Sequence, residues 1–150
     1  MHSLIRISLA RLLFAEVGPK SEEDLFLRVE YDGAIATNGA AVSQTRQHFA
    51  VLSATKPSAE LMESFLKKES AASATFPETI KAALDAWSVG HMALGEDGRK
   101  ELPNSAAISK HRQEQLAASG IEAAVLERNS RPAIRYRALS NEEVRSSIGG

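Results

Sequence analysis

Residues 103–139 restrict the fold more than any other part of the chain. Pro103 cannot continue a preceding helix, and Asn104 or Ser105 can accept hydrogen bonds from the first free backbone N–H groups, so a helix is expected to begin there. Gly120 reads as its left-handed stop. Between them Ala107, Ile108, Gln115, Leu116 and Ala118 are placed toward a core, while Lys110, His111, Arg112 and Gln113 fall on neighbouring faces. After the stop, Ile121, Ala123 and Val125 alternate with Glu122 and Ala124. A turn at residues 128–132 follows, and then Ile134, Tyr136 and Ala138 alternate with Arg135, Arg137 and Leu139. The order expected is a capped helix, then a hairpin with one apolar and one arginine-rich face.

Charge is distributed unevenly. The chain carries 18 Lys+Arg against 19 Asp+Glu, yet residues 99–137 hold eight basic and four acidic side chains. Residues 1–98 hold nine basic and thirteen acidic. Positive charge gathered on one helix and hairpin is the pattern of a modest nucleic-acid footprint. Solvated surface charge on an ordinary helix and hairpin produces the same pattern.

At 150 residues and 43% hydrophobic, the chain is expected to form one domain or two very small ones. Having no cysteine, it has no disulfide framework, thiolate zinc site or cysteine nucleophile. No apolar run reaches the ~20 residues needed to cross a bilayer. Arg6 and Arg11 interrupt the opening apolar segment that a secretory signal would need, so a cytoplasmic protein is expected.

Along the chain, residues 4–14 lean to a strand, and residues 25–31 form a clearer one. Asp32-Gly33 suits a tight turn, with residues 34–37 returning and Asn38-Gly39 turning again. Residues 42–53 are read as a third strand around Phe49, Val51 and Leu52. Pro57 and Ser58 start a helix to about Lys68 with Leu61, Phe65 and Leu66 inward, and residues 70–74 read as a linker. Thr75 and Glu78 form a capping box, and the next helix carries Ile80, Ala83, Leu84 and Trp87 inward as far as Gly90. Ser140 caps a short final helix. The expected architecture is α+β: residues 1–70 a small antiparallel sheet plus helix, residues 75–145 a winged helix-turn-helix-like half.

Catalytic machinery is sparse. His2, His48, His91 and His111 include no pair one, three or four residues apart, which denies a local histidine metal site. Gly95 and Gly98 lack the following Lys-Ser/Thr of a phosphate loop, and the acidic clusters at residues 22–24 and 96–97 fit solvated loops. No enzymatic activity, no cofactor and no metal are expected.

Two resemblances add to this. Trp87, Gly90-His91, Leu94, Leu102-Pro103, Lys110-His111-Arg112, Leu116 and Gly120-Ile121 follow the order of a pattern in the C-terminal region of filamentous-bacteriophage replication initiator proteins, which residues 86–125 therefore resemble. That family's nicking tyrosine and metal-binding histidines belong to a larger N-terminal portion with no counterpart in this sequence. The resemblance thus implies a shortened, non-nicking relative that binds origin or single-stranded DNA, or restrains another replication protein. Ser109-Lys110-His111 and Arg135-Tyr136-Arg137 also make residues 108–139 similar to winged-helix regulators of the arsenic-repressor type. Both imply DNA contact through the same helix.

The expected DNA-binding residues are Ser109, Lys110, His111, Arg112, Arg128, Arg131, Arg135 and Arg137. Expected partners are DNA and, in the replication reading, a replication protein, with a homodimer allowed and no membrane. The leading expectation is a non-catalytic DNA-binding protein of phage or plasmid replication or its control. The alternatives are a winged-helix transcriptional regulator and a protein-binding inhibitor of a host or replication enzyme. Trp87 is expected as a core anchor rather than a base-stacking residue.

Overall fold

The computed structural model describes residues 10–37, 48–70, 73–95, 101–129 and 136–149. It divides into two compact units, Met1–Leu52 and Ser53–Gly150. The fold is α+β, with an N-terminal antiparallel sheet.

In the first unit, β1 (Leu12–Glu16), β2 (Leu25–Val29) and β3 (Ile35–Thr37) form an antiparallel meander. Leu12 faces Val29, Glu16 faces Leu25, and Val29 faces Ile35. Asp32-Gly33 makes the expected turn. Gly33 adopts φ 85°, a region that disfavours residues with a Cβ, and the Asp32 carboxylate accepts from the Ala34 N–H at 3.0 Å. The β1–β2 connection needs its own glycine, since a Cβ on Gly18 would lie 2.5 Å from the Glu23 Cβ. Arg11 and Arg28 both pair with Glu30 at 2.9 Å.

Two expectations for this unit change. Of residues 4–14, residues 10 and 11 precede the strand that pairs with β2, which is Leu12–Glu16 and runs two residues past Phe14; residues 4–9 lie outside the described ones. Residues 48–53 are not a strand, although Val51 is buried; residues 42–47 and the Asn38-Gly39 turn also lie outside the described residues.

The second unit begins with α1 (Lys56–Glu69), capped by the Thr55 hydroxyl, with Pro57 in its first turn and Leu61, Phe65 and Leu66 buried. Then follow α2 (Phe76–Leu94), α3 (Ser105–Ala118), β4 (Ala123–Leu126), β5 (Tyr136–Leu139) and α4 (Asn141–Ile148). α1 packs against α2, which places it in the C-terminal unit, so the division falls before α1 and not in residues 70–74. α2 also packs against α3 and α4. The Thr75–Glu78 and Ser140–Glu143 capping boxes both form. The Asn104 side chain accepts from the Ala107 N–H at 2.8 Å. α3 ends differently from expectation: Ser119 turns extended at φ −137° and ψ 145°, so no left-handed glycine is used. β4 and β5 pair antiparallel, Ala123 opposite Leu139 and Leu126 opposite Tyr136. Leu84, Leu139 and Val144 are the core beneath the hairpin, surrounded by Ile80, Ile121, Ala123, Val125 and Ile148.

Gly90 does not stop α2. It lies within the helix where α1 crosses, and an added Cβ would meet the Met62 Sδ at 2.4 Å and the Ser58 Oγ at 3.1 Å. The buried Ser58 hydroxyl donates to the Gly90 carbonyl at 2.9 Å and accepts from the Ser53 hydroxyl at 2.6 Å. A branched side chain there must displace the Met62 side chain and crowd the Ser58 hydroxyl. Gly90→Val is therefore expected to cost about 1–3 kcal/mol in chemical unfolding; an unchanged denaturation midpoint would refute the close crossing.

Candidate nucleic-acid interface

α3 is the element expected to carry the interface, yet its seating uses little apolar surface. Among its side chains only Ile108 and Arg112 are fully buried. Arg112 reaches α2, where its guanidinium donates to one oxygen of the buried Asp85 and, at 3.4 Å, to the Ser109 hydroxyl. The other Asp85 oxygen accepts from the Lys81 ammonium at 2.9 Å. A carboxylate removed from water needs such partners, and Asp85 has two. Arg112 is thus occupied inside the protein, which corrects the expectation that it faces a base or phosphate.

The remaining expected residues are dispersed in their roles. Lys110 is well exposed, 3.9 Å from Glu114 one turn on. Ser109 is half-buried under Arg112, and Arg128 is half-buried after β4. Arg131 and Arg135 lie outside the described residues. Arg137 on β5 pairs with Glu127 at 3.2 Å and Glu143 at 2.7 Å, tying the hairpin to the first turn of α4. Hydrogen bonds to Glu143 and then Glu127 raise the Arg137 pKa. The Glu143 carboxyl is held below its usual range by the Ser140 N–H, then by Arg137.

His111 sits beside α2, with its Nε2 2.9 Å from the His91 Nδ1. Trp87, one helical turn before His91, stacks on that imidazole at 5.1 Å and 13°, and lies 5.9 Å from the His111 ring. Trp87 is 38% exposed, so it covers a histidine pair instead of anchoring the core. The His111 Nδ1 is buried and has no hydrogen-bond partner among the described residues. A proton there would lack an acceptor, which favours the tautomer in which His111 Nε2–H donates to His91 Nδ1. Burial first, and then the His91 charge, push the His111 pKa below its ordinary value, with Glu114 opposing.

Sequence reading missed both Asp85–Arg112 and His91–His111. Asp85 did leave a trace, because a lone acid between Leu84 and Ala86 on an apolar helix face demands a buried partner. The histidine pair left none: its members are twenty residues apart and meet only when α2 and α3 pack. Among the described residues no group of three or more His, Cys, Asp or Glu is arranged for a metal ion. No helix among them is long and apolar enough to cross a membrane. No family model, curated protein or solved structure matches the chain.

Asp85→Ala leaves the buried Arg112 guanidinium without a carboxylate and should cost about 3–5 kcal/mol of unfolding free energy, whereas Arg112→Ala leaves Asp85 its Lys81 partner and should cost less. Asp85→Leu with Arg112→Met should recover most of the Asp85→Ala loss; a double variant no better than Asp85→Ala would contradict the pairing. His111 makes a separate prediction. Its folded pKa lies below its unfolded value near 6.5, so the native state binds fewer protons, and its contribution is complete above that pH and lost as pH falls through the folded pKa. Urea midpoints measured from about pH 7.5 to about pH 5.5 should fall less in His111→Gln than in the parent protein; equal falls would show that His111 is not the titrating group.

Proposed function

We propose that the C-terminal unit is a non-catalytic DNA-binding module acting in phage or plasmid replication or its control. One observation carries this reading: α2, α3 and the β4–β5 hairpin follow one another in helix-turn-helix-and-wing order, and α3 leaves Lys110 and Gln113 exposed on its outer side. An ammonium and a carboxamide there are suited to phosphate oxygens and base edges. Arg112 has a positioning role in this reading. Held by Asp85, it sets the rotation of α3 and so determines that Lys110 and Gln113 point outward. Arg137 braces the hairpin against α4, and the half-buried Arg128 remains a candidate contact. The replication setting rests on the likeness to filamentous-phage initiators. A winged-helix transcriptional regulator would use the same face and prefer a defined duplex.

A second reading, a protein-binding inhibitor of a host or replication enzyme, is favoured by the charge pairing itself. With Arg112 spent on Asp85, and Arg137 spent on Glu127 and Glu143, the positive field around α3 is smaller than the arginine count implies.

Salt dependence separates the two. Affinity of the full chain for duplex and single-stranded DNA should fall steeply with added salt, and Lys110→Ala should reduce the log–log slope by about 0.7–0.9 at unchanged melting temperature. Arg137→Ala should leave the slope nearly as it was. DNA binding that is undetectable at low salt would transfer the assignment to a protein partner.

A further inference from the structure

We propose that His91 and His111 form an open site for a divalent transition-metal ion, Cu(II) foremost, which joins α2 to α3. The two ring nitrogens come from different helices and lie 2.9 Å apart. With metal–nitrogen bonds of about 2.0–2.1 Å, neighbouring positions of a square-planar or tetragonal ion are about 2.9 Å apart, and those of a tetrahedron about 3.3 Å. The observed 2.9 Å is the His111–His91 hydrogen bond, in which the two nitrogens face each other; an ion replaces that hydrogen bond once the rings pivot so that both nitrogens converge on it. Imidazole suits Cu(II) and Ni(II), and Cu(II) binds most tightly in the divalent series.

The helices need not move to bring the nitrogens together, because Asp85–Arg112 already holds α3 against α2. His91 is exposed, so water or another ligand can fill the remaining positions. No third His, Cys, Asp or Glu joins the pair among the described residues, so the ion is exchangeable rather than caged. Each imidazole binds through an unprotonated nitrogen and keeps its one proton on the far nitrogen. Neutral histidines therefore release no net proton on binding. For His111 the retained proton sits on the buried Nδ1 that has no acceptor, which weakens affinity by roughly ten- to hundred-fold relative to a fully supported pair. A strong imidazole-seeking ion is needed to overcome this.

Trp87 is the only tryptophan in the chain, and it stacks on His91 at 5.1 Å, so its fluorescence reports directly on the site. The experiment uses the full chain in a His2→Ala background, which removes competition from a histidine next to the N-terminus. After chelator treatment it is titrated with a Cu(II) salt at about pH 7.5, where neutral imidazole predominates. A saturable quench at one ion per chain is expected, with Zn(II) competing at higher concentration and restoring emission. His91→Ala and His111→Ala should each weaken the quench at least tenfold, whereas His48→Ala should leave it intact. A readout in the parent protein avoids dependence on the variants' folding: substoichiometric Cu(II) should broaden the ring-proton NMR signals of His91 and His111 before those of His48. Absence of a saturable quench, or broadening that begins at His48, overturns the site.

Discussion

The seating of α3 depends on one charge pair. A surface helix ordinarily docks through a stripe of apolar side chains, but α3 buries only Ile108 and sends Arg112 inward in place of a second hydrophobic residue. Asp85 receives it, with Lys81 on the remaining oxygen. A buried ion pair contributes less net stability than its contact suggests, because both partners lose hydration. What it does supply is direction. A guanidinium bonded to a fixed carboxylate permits one rotation of α3, and that rotation turns His111 toward α2 while Lys110 and Gln113 face solvent.

The same chemistry governs the hairpin. Arg137 is bonded to a carboxylate on each side of it in sequence, Glu127 ten residues earlier and Glu143 six residues later. Glu143 already caps α4 through the Ser140 N–H, so Arg137 connects a β5 side chain to a helix terminus. Two of the arginines that made this segment look like a polyanion-binding surface therefore act as internal fasteners. A basic residue count along a sequence records charge and cannot record which carboxylates will fold beside it.

Features decided by neighbouring residues were readable in advance. The capping boxes at Thr75 and Ser140, the Asn104 cap, the early proline of α1 and the Asp32-Gly33 turn all follow from side chains within four positions of the backbone groups they satisfy. Helix burial in α1 was legible for the same reason, since Leu61, Phe65 and Leu66 recur on one face. The failures share a cause. Gly90 looked like a terminator because a glycine is read locally, whereas its function is to let Ser58 and Met62 approach from a different helix. Gly120 looked like a left-handed stop, but Ser119 had already left the helix. Trp87 fitted the apolar face by spacing, and only the packed α2–α3 pair shows it lying over two imidazoles.

The hydroxyl relay from Ser53 through Ser58 to the Gly90 carbonyl has a consequence for dissecting the chain. Ser53 is the first residue of the C-terminal unit, so the entry point of that unit is hydrogen-bonded to the place where α1 crosses α2. A shortened protein cut just after this serine would retain α1 to α4 and still lose the outer hydroxyl of the relay. The natural beginning of an autonomous fragment is therefore upstream of Ser53, with enough preceding backbone to hold that side chain in place.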